Sequence, residues 1–174
     1  PKGAGTALGS DNLLETPGDG VGIDYANEVG ETYICGNPPY SGQSEMSTRE
    51  KTDLSIVFQG TEVSWKSLDY VFGWLKKALD VCLNGSYSCA FVSTNSVCQG
   101  QQVSAFWTSA LGTGIKIHFA RTSFKWSNLA KNNAGVTVVV VGLSRNTSRS
   151  MLYVEDNKNG PLERAVDFIG PYLV

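Results

Sequence analysis

Apolar and polar positions along the chain alternate between two periods, and the alternation predicts strands interleaved with helices. Residues 1–30 are glycine-rich and irregular, with Pro17-Gly18-Asp19-Gly20 a strong turn signal. Residues 32–36 read as a short buried strand, and residues 41–64 as a long polar insertion without regular structure. From Ser67, a candidate N-cap, Leu68, Val71, Phe72, Leu75, Ala78, Leu79 and Cys82 recur at helical spacing until Asn84-Gly85. A strand follows over 88–93. Val103, Phe106, Trp107, Ala110 and Leu111 then mark a second amphipathic helix, closed by Gly112 and Gly114. Residues 115–120 form a further strand. The β-branched run within 135–143 has the character of a central strand, apolar on both faces. The 121–134 link is too short and polar for a crossover helix, so the last two of these strands are expected to pair antiparallel. The tail from Met151 is less periodic. The fold class is therefore α/β, half of an open sheet, and ligands of such sheets bind beyond the carboxyl ends of the strands. Segments 37–40, 93–102 and 121–128 share that address.

Composition narrows the class. The 174 residues fit one domain, and 41% hydrophobic with 17% charged residues describes a globular chain, not a disordered one. No apolar run approaches the roughly 20 residues of a membrane span. The first residues lack the blocks of a signal peptide and an initiator Met, so a piece of a longer protein is expected. A net charge of −2 does not advertise a nucleic-acid surface, though it is compatible with one part of a larger DNA-binding protein. Cys35, Cys82, Cys89 and Cys98 form no Cys-x-x-Cys pair and His118 is the single histidine, which argues against a zinc site. Reduced thiols acting as small buried hydrophobes in a cytoplasmic protein, and a packing role for His118, are the plain expectations.

Asn37-Pro38-Pro39-Tyr40 is the segment with the sharpest chemistry. Each proline fixes its own φ and lacks an N–H, and each holds the residue before it extended. Asn37 and Pro38 thereby keep carbonyl groups free to point into a pocket, and the Tyr40 ring can cover a flat group. A carboxamide, a free main-chain carbonyl and an aromatic lid suit a planar substrate with an exocyclic amine, such as a nucleobase. An ordinary Pro-Pro loop closing a strand has the same local pattern.

The strand leading into Asn37-Pro38-Pro39-Tyr40 resembles motif IV of the S-adenosylmethionine-dependent amino-methyltransferases that modify DNA. Ser10-Asp11-Asn12-Leu13-Leu14 ahead of it is similar to that family's acidic turn. The segments running from Phe91 through Thr94-Asn95-Ser96-Val97-Cys98-Gln99 to Val103, and from Phe119 through Arg121-Thr122-Ser123-Phe124-Lys125-Trp126 to Asn128, resemble the MmeI/YeeA-type adenine methyltransferases. These are often fused to a restriction nuclease. The closing residues 169–174 resemble the stretch before that family's target-recognition domain, so the resemblance covers about residues 5–174.

The resemblance implies a partial Rossmann-like class I methyltransferase sheet, open and mostly parallel with an antiparallel last strand, that acts on the N6 amine of an adenine flipped from double-stranded DNA. It implies Asn37, Pro38, Pro39 and Tyr40 as catalytic residues, the amine donating to the Asn37 side-chain oxygen and the Pro38 carbonyl while the base stacks on Tyr40. It implies Asp11 and Leu13, with Asn37 and Pro39, at the S-adenosylmethionine site, and Tyr40, Phe124, Trp126, Thr94 and Asn95 facing the substrate. Gln99 extends that last set, and Lys116, Arg121, Lys125 and Lys131 are candidate phosphate contacts. No strand and glycine-rich loop precede Asp11, and Gly18–Gly22, which comes after it, follows no strand, opens no helix and reads as a turn. The chain is thus expected to hold the substrate-side half of the domain. Its partners would be the missing N-terminal part, a downstream recognition domain and, in some proteins, a nuclease. A protein-glutamine or rRNA methyltransferase, or a catalytically idle module, shares the tetrapeptide's logic.

Overall fold

Six strands form one sheet in the order β1-β2-β4-β3-β5-β6, and helices cover the face that β2, β4 and β3 make apolar. The structure, a computed structural model, describes residues 32–126, 136–145, 149–156, 160 and 162–174. Asp11, Leu13, the turn at Pro17–Gly20, Asn128 and Lys131 lie outside the described residues.

β1 (Thr32–Gly36) runs parallel to β2 (Tyr87–Thr94), with Gly36 opposite Phe91. β4 (Val136–Ser144) is antiparallel to both β2 and β3 (Lys116–Trp126) and lies between them, as its β-branched run requires. β5 (Ser150–Val154) lies parallel to β3 and forms an antiparallel pair with β6 (Leu162–Val166). Strands β1, β2, β3 and β5 therefore point one way, and β4 and β6 the other.

One sheet face carries Cys89, Phe91 and Ser93 of β2, opposite Leu143, Val141 and Val139 of β4, all buried. α2 (Val71–Leu83) packs there through the stripe that its sequence repeats: Phe72, Leu75, Leu79 and Cys82 are buried, and Cys82 Sγ lies 3.5 Å from Cys89 Sγ and 3.6 Å from the Leu143 carbonyl. Burying each such side chain contributes about 1.5–3 kcal/mol. The second predicted helix is a continuous helical segment of α3 (Gly100–Gln102), a π-helical stretch (Val103–Trp107) and α4 (Thr108–Gly112). The π stretch carries Phe106, whose ring meets Phe58, Phe72 and Trp107 edge-on at 5.1–6.3 Å. Trp107 donates its indole N–H to the Val97 carbonyl at 2.7 Å. The segment ends as its glycines imply, with Gly114 at φ 87°.

Five expectations are corrected. Residues 41–64 are not irregular: α1 (Thr48–Val57) begins at a capping box in which Ser47 and Glu50 bond each other's backbone N–H. Ser67 caps nothing, because Trp65–Ser67 closes its own 3-10 turn and Leu68 is extended, which delays α2 to Val71. β1 is not buried. It is an edge of the described sheet, with Tyr33 63% exposed and Cys35 open to solvent. Residues 121–126 continue β3 and do not begin a loop. The tail from Met151 contains most of β5 and all of β6. Cys82, Cys89 and Cys98 are the buried thiols, and burial pushes Cys98 up to about 12. Among the described residues no helix is long and apolar enough to cross a membrane.

Candidate active site

β1, β2 and β3 all deliver their carboxyl ends to one edge of the sheet. Asn37 follows β1 directly, Asn95 follows β2, and Phe124 and Trp126 close β3. The register gives their relative heights. Gly36 stands opposite Phe91, so Asn37 leaves the ladder one residue later, beside Val92. Thr94 and Phe124 both face Val138 across β4, two residues farther along, or about 7 Å. Their backbones are then about 10 Å apart, two strand spacings.

The corner itself is tightly made. Pro38 is buried and Pro39 half-buried, while Asn37 is exposed. The Tyr40 hydroxyl donates to Asn37 Oδ1 and lies 3.4 Å from the Val92 carbonyl, which brings the ring over the end of β2. Burial raises the Tyr40 phenol above its usual value, so the hydroxyl stays protonated and remains a donor. Asn37 therefore presents a neutral acceptor oxygen, already filled by a neighbouring donor that can be displaced. Such a corner can accept a hydrogen, orient the atom that carries it and cover a flat ring; it holds no charge that would compete as a nucleophile.

On β3 a register shift between Arg121, opposite Val140, and Phe124, opposite Val138, inserts one extra residue. Residues three apart on a regular strand face opposite ways, so this bulge is what places Arg121 and Phe124 on one face. The Arg121 guanidinium carbon sits 3.9 Å from the Phe124 ring centroid and its Nη2 is 2.9 Å from Glu155 Oε2. Trp126, 39% exposed, lies 6.3 Å from Phe124 at a tilt of 50°. Thr94 Oγ1 is 2.8 Å from Ser96 Oγ, Asn95 opens the 3-10 turn Asn95–Cys98, and Gln99 is exposed at its end.

The structure thus brings Asn37–Tyr40, Thr94, Asn95, Phe124 and Trp126 to one edge. It does not bring Lys116 there. Lys116 starts β3, opposite Ser144, and nine residues of strand separate it from Lys125, roughly 30 Å. Lys125 bonds Thr137 Oγ1 at 3.0 Å. His118 packs edge-on to Phe119 at 4.8 Å, and its buried Nε2 has no hydrogen-bond partner among the described residues. Sequence reasoning gave no role to Asp69, Ser96 or Gln102, of which Ser96 and Gln102 both donate to the Asp69 carboxylate. The only local signal was the pairing of short polar residues with helix starts.

Comparison with known proteins shows the family and the fold. The model of the MmeI DNA-methyltransferase domain matches residues 5–154. DNA methyltransferase A of Bacillus subtilis (strain 168) is 41% identical over 145 residues, which cover 82% of this chain and 16% of that protein. The Type IIL restriction-modification enzyme MmeI, solved in complex with DNA, superposes with a TM-score of 0.75 at 39% identity, over 82% of this chain and 19% of that one. The chain therefore spans less than a fifth of the length of either relative.

Proposed function

The chain belongs to the MmeI-type DNA methyltransferases, and on that premise we propose that it carries the substrate-side half of a domain that methylates adenine N6 in double-stranded DNA. The observation that carries this reading is the Asn37 amide oxygen, held as an acceptor beside the Tyr40 ring at the carboxyl end of β1. An exocyclic aromatic amine is a poor nucleophile because its lone pair is shared with the ring. Two acceptors on its hydrogens, Asn37 Oδ1 and the Pro38 carbonyl, favour a more tetrahedral nitrogen and free that lone pair. Tyr40 stacks on one face of a base taken out of the duplex, which offsets part of the unstacking cost. Phe124, with Trp126 beside it, takes the other face once the Arg121 guanidinium yields that position.

S-adenosylmethionine, when bound, supplies an electrophilic sulfonium methyl. The residues present fit such a partner: the corner offers neutral acceptors and an aromatic surface, which orient an amine without competing for a methyl group. Asn37 and Pro39 would line the cofactor's side of the corner, and Asp11 and Leu13 would meet the cofactor's adenine. Asn37 and Pro38 would orient the amine toward that methyl group, and the proton that the amine gives up would pass to water. Positioning and electrostatics account for the rate, without a covalent enzyme intermediate.

Methyl transfer from labelled cofactor to DNA by the full-length protein tests the assignment. Asn37→Ala should lose about 100-fold or more in rate, the scale of a lost electrostatic contact at a reacting centre. An undiminished rate would end the assignment. The division of the domain has its own test, because the isolated chain should show no micromolar affinity for S-adenosylmethionine by calorimetry. Binding at that strength would mean that the cofactor site is complete within these residues.

A further inference from the structure

β1 leaves the sheet after Gly36 and β2 after Thr94, and another device must fix the Asn37–Tyr40 corner relative to the turn after β2. Asp69, in the extended link between Trp65–Ser67 and α2, is placed to do so. Its Oδ1 accepts the Gln43 backbone N–H at 2.9 Å, three residues beyond Tyr40. Its Oδ2 accepts the Ser96 hydroxyl at 2.9 Å and the Gln102 side-chain N–H at 2.9 Å. Gln102 reciprocates, its Oε1 accepting the Asp69 backbone N–H at 2.8 Å. Next in the chain, Tyr70 donates its N–H to the Ser41 carbonyl at 2.9 Å. Ser96 in turn lies 2.8 Å from Thr94 Oγ1.

One carboxylate thus collects three donors from two segments that the sheet has released, and both of its oxygens are used. A carboxylate suits this because every direction accepts, whereas an amide at the same place would present a donor to at least one of the three. Bonds of this kind to an ionised acceptor are also shorter and stronger than neutral ones.

We propose that Asp69 is a positioning residue for methyl transfer: through Gln43 on one side and Ser96 and Gln102 on the other, it holds the amine-binding corner in register with the Thr94–Gln102 turn. The proposal rests on the reading of Asn37–Tyr40 as that corner. Asp69 touches neither substrate nor cofactor. Its effect is geometric, and misplacement of a reacting group by about 1 Å costs on the order of 100-fold.

The test uses the full-length protein and three variants, Asp69→Asn, Ser96→Ala and Asn37→Ala, with single-turnover methyl transfer at saturating DNA and cofactor, KM for each, and the thermal midpoint. Asp69→Asn should lower the rate about 10- to 100-fold, with KM for the cofactor within about twofold of wild type and the midpoint nearly unchanged. Ser96→Ala, which removes one of the three donors, should lower it about 2- to 10-fold. An Asp69→Asn rate within about twofold of wild type, beside an inactive Asn37→Ala, overturns the role of Asp69 and leaves the corner standing. A rate that falls only together with the midpoint, while Ser96→Ala matches wild type, also overturns it, because Asp69 then merely supports the fold. Full activity in Asn37→Ala removes the corner itself, and the role of Asp69 falls with it.

Discussion

Tyr40 does two things that a pair of substitutions separates. Its hydroxyl occupies Asn37 Oδ1, the acceptor that the incoming amine needs, and its ring lies ready to stack. The second contact of the hydroxyl, 3.4 Å to the Val92 carbonyl, is long and adds little. Displacing the first costs a net neutral hydrogen bond, about 0.5–1.5 kcal/mol. Tyr40→Phe removes that competitor and keeps the ring, so kcat/KM for DNA should stay at the wild-type value or rise up to about tenfold. Tyr40→Ala removes the ring, and base–aromatic stacking is worth about 1–3 kcal/mol, a loss of about 5- to 150-fold. Single-turnover methyl transfer from labelled cofactor, over a range of DNA concentrations, measures both. If Tyr40→Phe is as impaired as Tyr40→Ala, the hydroxyl is what matters: it pre-orients the Asn37 amide and does not compete for it. If Tyr40→Ala matches wild type, no base stacks there.

Asp53, 3% exposed on α1, accepts the Tyr70 hydroxyl at 2.9 Å and so ties α1 to the start of α2. Asp53→Ala should shift the urea midpoint by an amount equivalent to about 1–3 kcal/mol, while Asp53→Asn, which keeps an acceptor, should recover most of it; an Asp53→Ala protein within about 0.5 kcal/mol of wild type would show that the bond is idle. Burial holds the His118 imidazole below its usual pKa of 6.5, so its neutral form is favoured by folding. The unfolded chain then takes up the proton first, and the stability that His118 contributes is complete above pH 6.5 and is lost as the pH falls through the depressed folded value. His118→Phe should flatten the decline of the thermal midpoint between neutral and mildly acid pH, and parallel curves for variant and wild type would contradict this.

What could be read in the sequence followed from how each element meets its surroundings. β4 was legible because it sits between two strands, and Val138, Val139, Val141 and Leu143 are all about 1% exposed. α2 was legible because one continuous stripe of it is buried. α1 was not, since Asp53 and Leu54 are its buried residues and adjacent positions make no helical period. Its capping box was written plainly enough, but a polar helix start between polar residues looks like loop. β3 was lost after Ala120 because the bulge before Phe124 shifts the phase of its alternation, and a period-2 pattern that slips by one residue reads as none. β6 offers only Val166 to the core, Leu162, Glu163, Arg164 and Ala165 being exposed.

The site divides along the same line. Asn37-Pro38-Pro39-Tyr40 is visible because its rigidity is local: two prolines restrict three residues, Asn37, Pro38 and Pro39, whatever surrounds them. Its placement is not local. The bonds that join it to the turn after β2 pass through Asp69, which is 26 residues from Gln43, 27 from Ser96 and 33 from Gln102, and each of these residues alone is an unremarkable polar position. The misplacement of Lys116 has the same origin, for charge clustering along a sequence says nothing about which end of a strand each charge occupies. The chemistry an active site can perform is therefore compact in sequence, while the geometry that turns it into a rate is dispersed. Removal of the Asn37 amide should all but abolish transfer. Substitution in the dispersed set should leave an intact corner that is held slightly wrong.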